Sequence, residues 1–533
     1  MVETAPTRHL GAQISHMLKA RGVDVIFGIP GVHNIEMYRG VEEAGIIHVL
    51  ARHEQGAGFM ADGYARASGK PGVAYVITGP GLCNIMTPMG QAYSDSVPLL
   101  VLSSCLDETV ARRGQLHQMI DQAGAAACVC DWSFEARTPG AAFALIDRAL
   151  TEFVSQRPRP KHLQIPIGLL GADAEACWDD LYLPGYARPL PIPEQVETAA
   201  EALKAARRPL FVFGGGACGA VQAARDVLRL SRASSFCTYA GRGIVAADDT
   251  LYFGAYLARP DSAAIFAQAD LVLQVGTDMA EVDLWRDALG HTCETIHVNL
   301  DAEVLARGKG TDQRIHADSL EFLKALGGRL KDHVPQTTWF EEDVAKTRAR
   351  WRAEVESERP GILPVLDALR DITPPETMIY SDMTQIAYTA LETWPMDWPG
   401  HWHHPYGFGT LGYAVPAAIG GAVARPGLPT LAIAGDYGFQ YTLQELGTAV
   451  ELGLPLPIVV WDNAKLKEIE DAMVRAQIAP NAVVAQNPDF CALARAYGAH
   501  ATLPGTLDEM RMAVRAAFEA DRPTLIHVRP GLA

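Results

Sequence analysis

Residues 52–66 read RHEQGAGFMADGYAR, residues 435–437 read GDY, and residues 462–463 read DN. Glu54 is a single carboxylate at the predicted start of an Ala- and Gly-rich helix, whose small residues permit close packing. Asp436 and Asn463 each follow a predicted strand, so both lie at the carboxyl edge of one parallel sheet, where their oxygens suit a shared Mg²⁺. A lone carboxylate and a cation site together call for a cofactor that joins a base-activated heterocycle to a diphosphate. Thiamine diphosphate meets both demands.

Each of these features has a plainer alternative. An acidic residue such as Glu54 can simply complement the dipole of the helix that it begins. Asp436 and Asn463 can belong to two ordinary turns at the ends of strands. The functional interpretation rests on their occurrence together in one chain.

The length, composition and charge of the chain limit the class of protein to which it can belong. With 533 residues the chain is too long for one hydrophobic core, and three domains of ordinary size are expected. A hydrophobic content of 49%, with 48 Gly and 34 Pro, is typical of a globular α/β enzyme. The formal net charge of −17 argues against a nucleic-acid partner, because phosphates require basic surfaces.

The termini and cysteines indicate the compartment. Residues 1–9, MVETAPTRH, contain no apolar core for export, and no apolar run elsewhere is long enough to span a membrane. The nine cysteines are scattered singly apart from Cys128 and Cys130, which lack the spacing of a zinc or redox site. We therefore predict reduced thiols and a cytoplasmic protein without a membrane partner.

Apolar strand-like runs alternate with helical stretches in three segments, which predicts an α/β fold of three doubly wound parallel-sheet domains. The predicted domains span residues 1–180, 194–333 and 360–533, with a Pro-rich linker at 184–193 and a charged helical bridge at 339–358. The strand candidates are 25–28, 72–77 and 99–102, then 210–213, 271–275 and 295–299, and finally 431–434, 456–461 and 524–528.

The motifs around Glu54 and Asp436, with GTLGYAVPAAIG at 409–420, resemble the thiamine-diphosphate-dependent enzymes of the acetohydroxyacid synthase and 2-oxo acid decarboxylase superfamily. The resemblance covers essentially the whole chain. It implies that the first domain binds the pyrimidine of the cofactor and the third binds its diphosphate with Mg²⁺. These two domains would share one topology, with a Rossmann-like domain between them. A glutamate at the Glu54 position would hydrogen-bond the aminopyrimidine and so help to form the nucleophilic carbon.

The resemblance also implies which residues contact the cofactor and the metal. On the pyrimidine side they lie in strand-end turns and in the following helix: Ile29, Pro30, Thr78, Pro80 and Asn84. On the diphosphate side they lie in loops and strand ends: Met383, Thr384, Gln385, Gly409, Gly435, Asp436, Tyr437, Gly438 and Asn463. Leu411 would wedge between the two rings of the cofactor. The metal ligands would be Asp436, Asn463 and the main-chain carbonyl of Lys465.

Two departures from the family pattern bear on the metal site. The usual Gly-Asp-Gly is Gly-Asp-Tyr here, so Tyr437 must fit near the phosphates, and we expect Gly438 to supply the lost backbone freedom. The usual Asn-Asn is Asp-Asn. Because Asp462 replaces the asparagine that is not normally a ligand, we expect the metal site to be kept.

The central segment contains GGGACG at 214–219, which matches the G-x-G-x-x-G pattern of a dinucleotide site after a strand. Such a site needs an acidic residue about 20 positions later, and residues 231–239 contain none. The following CTYAGRG at 237–243 lacks the residues associated with FAD-binding members of the superfamily. We therefore predict a central domain without FAD.

The cofactor implies decarboxylation of a 2-oxo acid to an aldehyde. The alternative is an acetolactate synthase-like carboligase, which joins the remaining fragment to a second carbonyl compound. Within the superfamily, DMTQ at 382–385 and NPDF at 487–490 resemble the decarboxylases of 5-guanidino-2-oxopentanoate. The segment KLKEIED at 465–471 fits, since Glu468, Glu470 or Asp471 could pair a guanidinium group. A solvated charged helix face is the alternative.

Further site candidates follow from the family resemblance. His117 and Gln118 fall where acetohydroxyacid synthases place a Phe-Gln pair at the active site, so we predict catalytic roles for both. His117 could relay a proton, or it could be only a packed loop residue. The predicted substrate pocket combines residues after the first turn with residues of the acidic segment: Val32, His33, His117, Glu468 and Ile469. Ile469 takes the position of a catalytic glutamate of pyruvate decarboxylases.

The expected partner is a second copy of the chain. In the family, each cofactor lies between the first domain of one subunit and the third domain of another. Glu54 and Asp436 belong to those separate domains, so one chain should hold only half of each site. We predict a homodimer or homotetramer with shared active sites.

Overall fold

The computed structural model describes residues 7–107, 113–176, 188–307 and 313–532. Its strands form three parallel sheets, one in each predicted segment, and a short antiparallel pair. The α/β class with three parallel-sheet domains is therefore confirmed. Residues 1–6, the predicted domain end at 180 and the first part of the predicted linker, 184–187, lie outside the described residues.

The first domain contains β1 (Thr7–His9), β2 (Val25–Gly28), β3 (Ile47–Leu50), β4 (Gly72–Val76), β5 (Leu99–Cys105), β6 (Trp132–Glu135), β7 (Lys161–Pro166) and β8 (Asp173–Glu175). Strands β1 and β8 pair antiparallel, and the other six form a parallel sheet in the order β3-β2-β4-β5-β7-β6. Strand β5 is buried at every position. This explains its unbroken apolar start, because a parallel strand covered on both faces has no polar side.

Helices cover both faces of this sheet. They are α1 (Leu10–Ala20), α2 (Ile35–Tyr38), α3 (Glu54–Ser68), α4 (Pro80–Asp95), α5 (Gln122–Ala127), α6 (Pro139–Ser155) and α7 (Ile167–Leu170). Helix α3 is almost wholly buried and ends at Gly69, whose φ of +69° provides a left-handed C-cap.

The central domain has the strands β9 (Pro209–Phe213), β10 (Ser234–Cys237), β11 (Leu271–Val275), β12 (Glu294–Asn299) and β13 (Gln313–His316). They form a parallel sheet in the order β10-β9-β11-β12-β13. The helices are α8 (Pro193–Ala205), α9 (Val221–Ser231), α10 (Ser262–Phe266), α11 (Glu281–Leu284), α12 (Ala302–Ala306), α13 (Ser319–Arg329) and the bridging α14 (Glu341–Glu358), with 3-10 turns at Gly215–Ala220 and Tyr239–Gly241.

The third domain has the strands β14 (Met378–Ser381), β15 (Trp402–His403), β16 (Thr430–Gly435), β17 (Pro457–Trp461), β18 (His500–Thr502) and β19 (Thr524–Val528). Its helices are α15 (Ile362–Arg370), α16 (Gln385–Thr393), α17 (Ala414–Ala424), α18 (Asp436–Tyr441), α19 (Leu446–Glu451), α20 (Lys467–Arg475), α21 (Phe490–Ala496) and α22 (Leu507–Phe518), with a 3-10 turn at Leu443–Glu445. The sheet is parallel, in the order β15-β14-β16-β17-β19-β18.

The first and third domains have the same topology. When the strands of each six-stranded sheet are numbered from the first one in the chain, both sheets read 2-1-3-4-6-5. The shared topology that the family resemblance implied is therefore confirmed. In both domains the carboxyl ends of the parallel strands lie along one edge of the sheet. This is the edge at which α/β sheets bind ligands.

Helix α3 of the first domain packs directly against α17 of the third domain. A Cβ added at Gly63 would lie 2.0 Å from the carbonyl oxygen of Ala417, and one at Gly420 would lie 1.9 Å from that of Met60. Only glycine permits such a close crossing. The contact joins the two ends of the chain into one hydrophobic core. No helix within the described ranges combines the length and apolar character needed to cross a bilayer.

Candidate active site

Glu54 is the first residue of α3, and only 9% of it is exposed. Asn84, on α4, donates a hydrogen bond of 2.9 Å from Nδ2 to Glu54 Oε2. A Cβ added at Gly81 would lie 3.3 Å from Glu54 Oε1, so the first turn of α4 packs against the carboxylate. His53 caps α3, since its Nδ1 accepts a hydrogen bond from the Gln55 amide. The structure thus brings together Glu54 and Asn84, which were both predicted for the pyrimidine side.

The turn after β2 contains the predicted residues Ile29 and Pro30. Asn34 closes this turn: its Oδ1 accepts from the Gly31 amide at 2.6 Å, and its Nδ2 donates to the carbonyl of Ile29 at 3.3 Å. Asn34 is fully buried. The turn is therefore fixed by a side chain before any ligand binds.

Thr78 lies in the turn between β4 and α4, and Pro80, on the other side of Gly79, is the first residue of α4. Gly79 has a φ of +73°, and a Cβ there would lie 2.4 Å from the carbonyl oxygen of His117. Its amide donates to Gln122 Oε1 at 2.8 Å. The loop that carries His117 therefore packs directly on this turn.

His117 and His33 form a close pair beside the two turns. Their ring centroids lie 4.7 Å apart in an edge-to-face arrangement. Burial lowers the pKa of His33, and the neighbouring His117 lowers it further. Among the described residues, neither Nδ1 has a hydrogen-bond partner, although both are buried. Val32, next to His33, is 64% exposed, and Gln118 Oε1 accepts from a loop amide.

On the third domain, Asp382 connects the loops predicted for the diphosphate. It follows β14 and is only 1% exposed. Its Oδ1 accepts from the Met383 amide and its Oδ2 from the Gly412 amide, each at 2.9 Å. A Cβ added at Gly438 would lie 2.4 Å from Asp382 Oδ2. Burial raises the pKa of Asp382 to about 6, and the amides oppose this shift.

The expectation that Gly438 supplies backbone freedom next to Tyr437 was wrong. This glycine lies inside α18 and is not among the glycines with a positive φ, so it supplies no unusual backbone freedom. Its missing Cβ instead lets α18 approach Asp382. Gly435 is constrained in the same way, since a Cβ there would lie 2.9 Å from Thr384 Oγ1. Tyr437 lies between them in the first turn of α18.

Two glycines with left-handed backbone flank the residue predicted to wedge between the cofactor rings. Gly409 and Gly412 have φ values of +66° and +85°, which glycine adopts readily. Leu411 lies between them and is partly buried. A Cβ added at Gly409 would lie 3.6 Å from the Met383 methyl group, so this segment and the loop after β14 are adjacent.

Asp436 begins α18 at the end of β16, and Asn463 follows β17, the next strand in the sheet. Asn487 Nδ2 donates to Asp436 Oδ2 at 2.7 Å and to Asp462 Oδ1 at 2.8 Å. Burial raises the pKa of Asp436 to about 6, and the charge of Asp462 adds to this shift. Lys465 N donates to Asn463 Oδ1 at 3.1 Å. Such oxygen donors around a buried carboxylate fit a divalent cation such as Mg²⁺.

Hydrogen bonds stabilise the ionised form of Asp462, the residue that replaces the family's asparagine. Burial opposes its ionisation, but hydrogen bonds from His527 and Asn487 leave its pKa lowered. The His527 Nε2 lies 2.8 Å from Asp462 Oδ2. Within the described ranges, no three His, Cys, Asp or Glu side chains are placed to hold a metal ion. A metal here would therefore depend on the Asn463 amide and on a main-chain carbonyl.

Glu468, at the start of α20, pairs with residues from two other elements. Its Oε1 accepts from Arg359 Nε at 3.0 Å and from Gln385 Nε2 at 3.1 Å. Gln385 is the last residue of the loop predicted for the diphosphate and the first residue of α16, so Glu468 lies beside the predicted cofactor site. Ile469, the next residue, is 49% exposed.

The other acidic residues of α20 are bound to lysines. Glu470 lies 2.9 Å from Lys465 Nζ and 3.2 Å from Lys467 Nζ, and Asp471 also pairs with Lys467. The sequence had offered Glu468, Glu470 and Asp471 as equal candidates for binding a guanidinium group. All three are ion-paired, but only Glu468 of the three lines the cavity described next.

A cavity of about 480 Å³ lies between the central and third domains. Met383 and Glu468 line it, so it lies next to the loop that was predicted for the diphosphate. The remaining wall combines aromatic with charged side chains, among them Tyr239, Trp285, Tyr388, Arg259, Glu358 and Glu392. Arg259 bridges the two glutamates of this wall.

The glycine-rich turn after β9 packs against the protein itself. A Cβ at Gly214 would lie 2.4 Å, and one at Gly216 2.9 Å, from the carbonyl oxygen of Gly276 after β11. This close approach accounts for both glycines without a nucleotide. The absence of FAD stays a prediction.

Sequence reasoning gave no role to Asp382, Asn487 or His527. Asp382 directly follows a strand, so the strand-end argument that found Asp436 also applies to it. Asn487 and His527 carry no such signal, because their contacts with Asp436 and Asp462 depend on how a distant loop and strand pack.

Comparison with known proteins identifies the family. Residues 8–125, 196–326 and 382–528 match the N-terminal TPP binding domain, the central domain and the C-terminal TPP binding domain of thiamine pyrophosphate enzymes. The chain therefore belongs to the thiamine pyrophosphate enzymes, as its motifs predicted. Thiamine pyrophosphate is another name for thiamine diphosphate.

Similar proteins extend over nearly the whole chain. The chain is 42% identical to the probable 2-ketoarginine decarboxylase of Pseudomonas aeruginosa, across 97% of this chain and 93% of that protein. It is 30% identical to the acetolactate synthase isozyme 2 large subunit of Escherichia coli, across 97% and 95%. It is 28% identical to the acetolactate synthase large subunit of Parasynechococcus marenigrum, across 98% and 87%.

Proposed function

We propose that this enzyme removes carbon dioxide from a 2-oxo acid and releases the aldehyde, and that its substrate is 5-guanidino-2-oxopentanoate, also called 2-ketoarginine. The observation that carries the proposal is the 42% identity to the probable 2-ketoarginine decarboxylase across 97% of this chain. The surroundings of Glu54, Asp436 and Asn463 support it, because Glu54 is a buried carboxylate at the start of a helix and the other two follow neighbouring strands of one sheet.

Thiamine diphosphate, when bound, would supply a nucleophilic carbon and an electron sink for the loss of carbon dioxide from a 2-oxo acid. Glu54, buried and held by Asn84, exchanges a proton with the pyrimidine ring. Asp436, Asn463 and the main-chain carbonyl of Lys465 would hold Mg²⁺, which would supply positive charge for the diphosphate.

The pair of His117 and His33 supplies the proton that aldehyde formation requires. Their rings lie 4.7 Å apart, edge to face. Burial lowers the pKa of His33, so we assign His33 a neutral positioning role, and we assign the proton relay to His117. Gln118, in the same loop, is assigned to orient the substrate.

The cavity beside Met383 receives the guanidinium end of the substrate. Glu468 is the acidic residue of α20 that lines this cavity. Among the described residues, Arg359 and Gln385 both reach its Oε1, which leaves Oε2 as the acceptor assigned to the substrate. A carboxylate beside the aromatic wall suits a planar cation.

Replacing Glu468 with glutamine is expected to raise the KM for 5-guanidino-2-oxopentanoate by roughly 10- to 100-fold, because a charge-assisted hydrogen bond is lost. The KM for 2-oxohexanoate, whose side chain carries no charge, should change little. The matched control is Glu470→Gln on the same helix, whose carboxylate is bound to lysines. Steady-state kinetics on both substrates checks this. An equal loss with both substrates, or with both variants, would contradict guanidinium recognition by Glu468.

A second candidate outcome is carboligation. The 30% identity to the acetolactate synthase subunit of Escherichia coli favours it. In that case the fragment left after decarboxylation would join a second carbonyl compound. Identification of the product distinguishes an aldehyde from such an adduct.

We propose a cytoplasmic homodimer or homotetramer as the working unit. Exposed apolar side chains lie at both half-sites: Val32 and Leu116 on the first domain are 64% and 62% exposed, and Ile469, Val474 and Ile478 at and beyond α20 are 49%, 58% and 53% exposed. Apolar surface at an incomplete site is typical of an interface. The scattered cysteines support a reducing compartment.

Mixing two inactive variants tests the shared sites. After reversible dissociation and reassembly of Glu54→Gln with Asp436→Ala, each hybrid dimer would hold one site with both lesions and one intact site. Activity should return to at most about half per hybrid. Homodimers of each variant serve as controls. If mass analysis verifies subunit exchange but no activity returns, the shared-site proposal is wrong.

A further inference from the structure

Glu445 of the third domain binds the backbone directly before Glu54. Its Oε1 accepts from the amides of Arg52 and His53, at 3.1 and 3.0 Å, and its Oε2 accepts from the Arg52 amide at 3.1 Å. Thr448 Oγ1 donates to Oε2 at 2.9 Å. The glutamate is fully buried. A carboxylate from one domain therefore satisfies two successive amides at the start of a helix in another.

The contact leaves no room for a side chain at position 56. A Cβ added at Gly56 would lie 2.2 Å from Glu445 Oε1 and 2.5 Å from Cδ. Gly56 lies in the first turn of α3, two residues after Glu54. The carboxylate thus packs against this turn as well as bonding the amides in front of it, and both contacts constrain where the Glu54 side chain begins.

A chain of hydrogen bonds continues from Glu445 to the predicted diphosphate loops. The Glu445 amide donates to the carbonyl of Thr442 at 3.0 Å, and Thr442 Oγ1 donates to the carbonyl of Gly412 at 2.9 Å. The Gly412 amide in turn donates to Asp382. The start of α3 is therefore tied to the loops at 382–385 and 409–412 through consecutive polar contacts.

We propose that Glu445 is a positioning residue that fixes the start of α3 from the third domain and so sets the position of Glu54. The proposal rests on the proposed function, in which Glu54 exchanges a proton with the cofactor. A displacement of about 1 Å at such a group can cost about 100-fold in rate. In a dimer with shared sites, this contact would also link the diphosphate half-site of one active centre to the pyrimidine half-site of the other.

Two variants disrupt the contact from opposite sides. Glu445→Met removes the acceptor at similar volume, and Gly56→Ala places a Cβ against the carboxylate without altering it. Glu445→Gln keeps one acceptor oxygen and should rescue most of the effect. Glu451→Gln is the matched control, because exposed Glu451 contacts the side chain of Arg52 and not its backbone.

The first measurement is amide hydrogen exchange of peptides covering residues 50–58, followed by mass spectrometry on the full-length protein without cofactor. The second is the rate of hydrogen–deuterium exchange at the reactive carbon of bound thiamine diphosphate, followed by quenched-flow NMR. In Glu445→Met and Gly56→Ala, the amides of these peptides should exchange faster than in the wild type. Exchange at the reactive carbon of the cofactor should be slower by roughly 10- to 100-fold. Cofactor affinity should change by less than about threefold, and the control at 451 should match wild type.

The outcomes separate this role from the proposed function. If the wild type does not accelerate exchange at the cofactor, the proposed function and the positioning role both fail. If the wild type does so and Glu445→Met and Gly56→Ala match it, only the positioning role is overturned. It is also overturned if Glu445→Gln is as slow as Glu445→Met, or if Glu451→Gln is slowed equally.

Discussion

Replacing Glu54 with glutamine is expected to lower the rate of carbon dioxide release by roughly 10²- to 10⁴-fold, which is the usual contribution of a positioned acid or base. The amide keeps the shape of the side chain and can keep a hydrogen bond to Asn84. It cannot exchange a proton with the pyrimidine ring, so activation fails while cofactor binding is largely kept. The measurement pairs single-turnover kinetics with calorimetric titration of thiamine diphosphate.

The matched control is Glu43→Gln, since Glu43 is an exposed residue of the same domain that pairs with Arg8 at the surface. This variant should retain wild-type rates. A near-normal rate in Glu54→Gln would contradict the assignment of Glu54 as the activating residue. A parallel loss of cofactor affinity would instead assign Glu54 a role in binding.

Asp436→Ala and Asn463→Ala are expected to lose Mg²⁺ and thiamine diphosphate together, by more than about 100-fold in affinity, because the metal bridges the protein to the diphosphate. Burial raises the pKa of Asp436 to about 6, which means that its charge is costly without a cation. The fold without cofactor should therefore not depend on this carboxylate, and the melting temperature of the cofactor-free Asp436→Ala variant should be at or above that of wild type.

Calorimetry and thermal unfolding check this expectation. Asp462→Asn, at the residue before Asn463, is the control, because it restores the usual family residue and removes no proposed ligand. It should keep metal affinity within about tenfold of wild type. Unchanged cofactor affinity in both alanine variants would refute the metal site.

Strand ends made the sites at Asp436 and Asn463 predictable from the sequence. Each follows a continuous apolar run, and parallel strands bring their carboxyl ends to one edge of a sheet. This inference needed only local periodicity and the order of strands, which the sequence contains. Thr78 and Pro80 were assigned to the pyrimidine side through the family resemblance instead.

Contacts between domains could not be predicted in this way. Glu468 of α20 pairs with Arg359, the residue that follows the bridging helix α14. Glu445 of the third domain accepts a hydrogen bond from the backbone amide of Arg52 in the first domain. No periodicity encodes such pairs, because they depend on how completed domains dock. The need for glycine at position 438 was also explained wrongly from the sequence. It comes from the close approach of Asp382 and not from the backbone conformation of Gly438 itself.

The most direct test of the proposed activity is to incubate the purified protein with Mg²⁺, thiamine diphosphate and 5-guanidino-2-oxopentanoate, and to identify the products by NMR while carbon dioxide is measured. We expect carbon dioxide and 4-guanidinobutanal in equal amounts, with kcat/KM at least about tenfold above that for pyruvate or 2-oxohexanoate. With Glu54→Gln, product should form roughly 10²- to 10⁴-fold more slowly. If the guanidino substrate is left unchanged while pyruvate is converted to acetolactate, the decarboxylase proposal is contradicted and the carboligase alternative is supported.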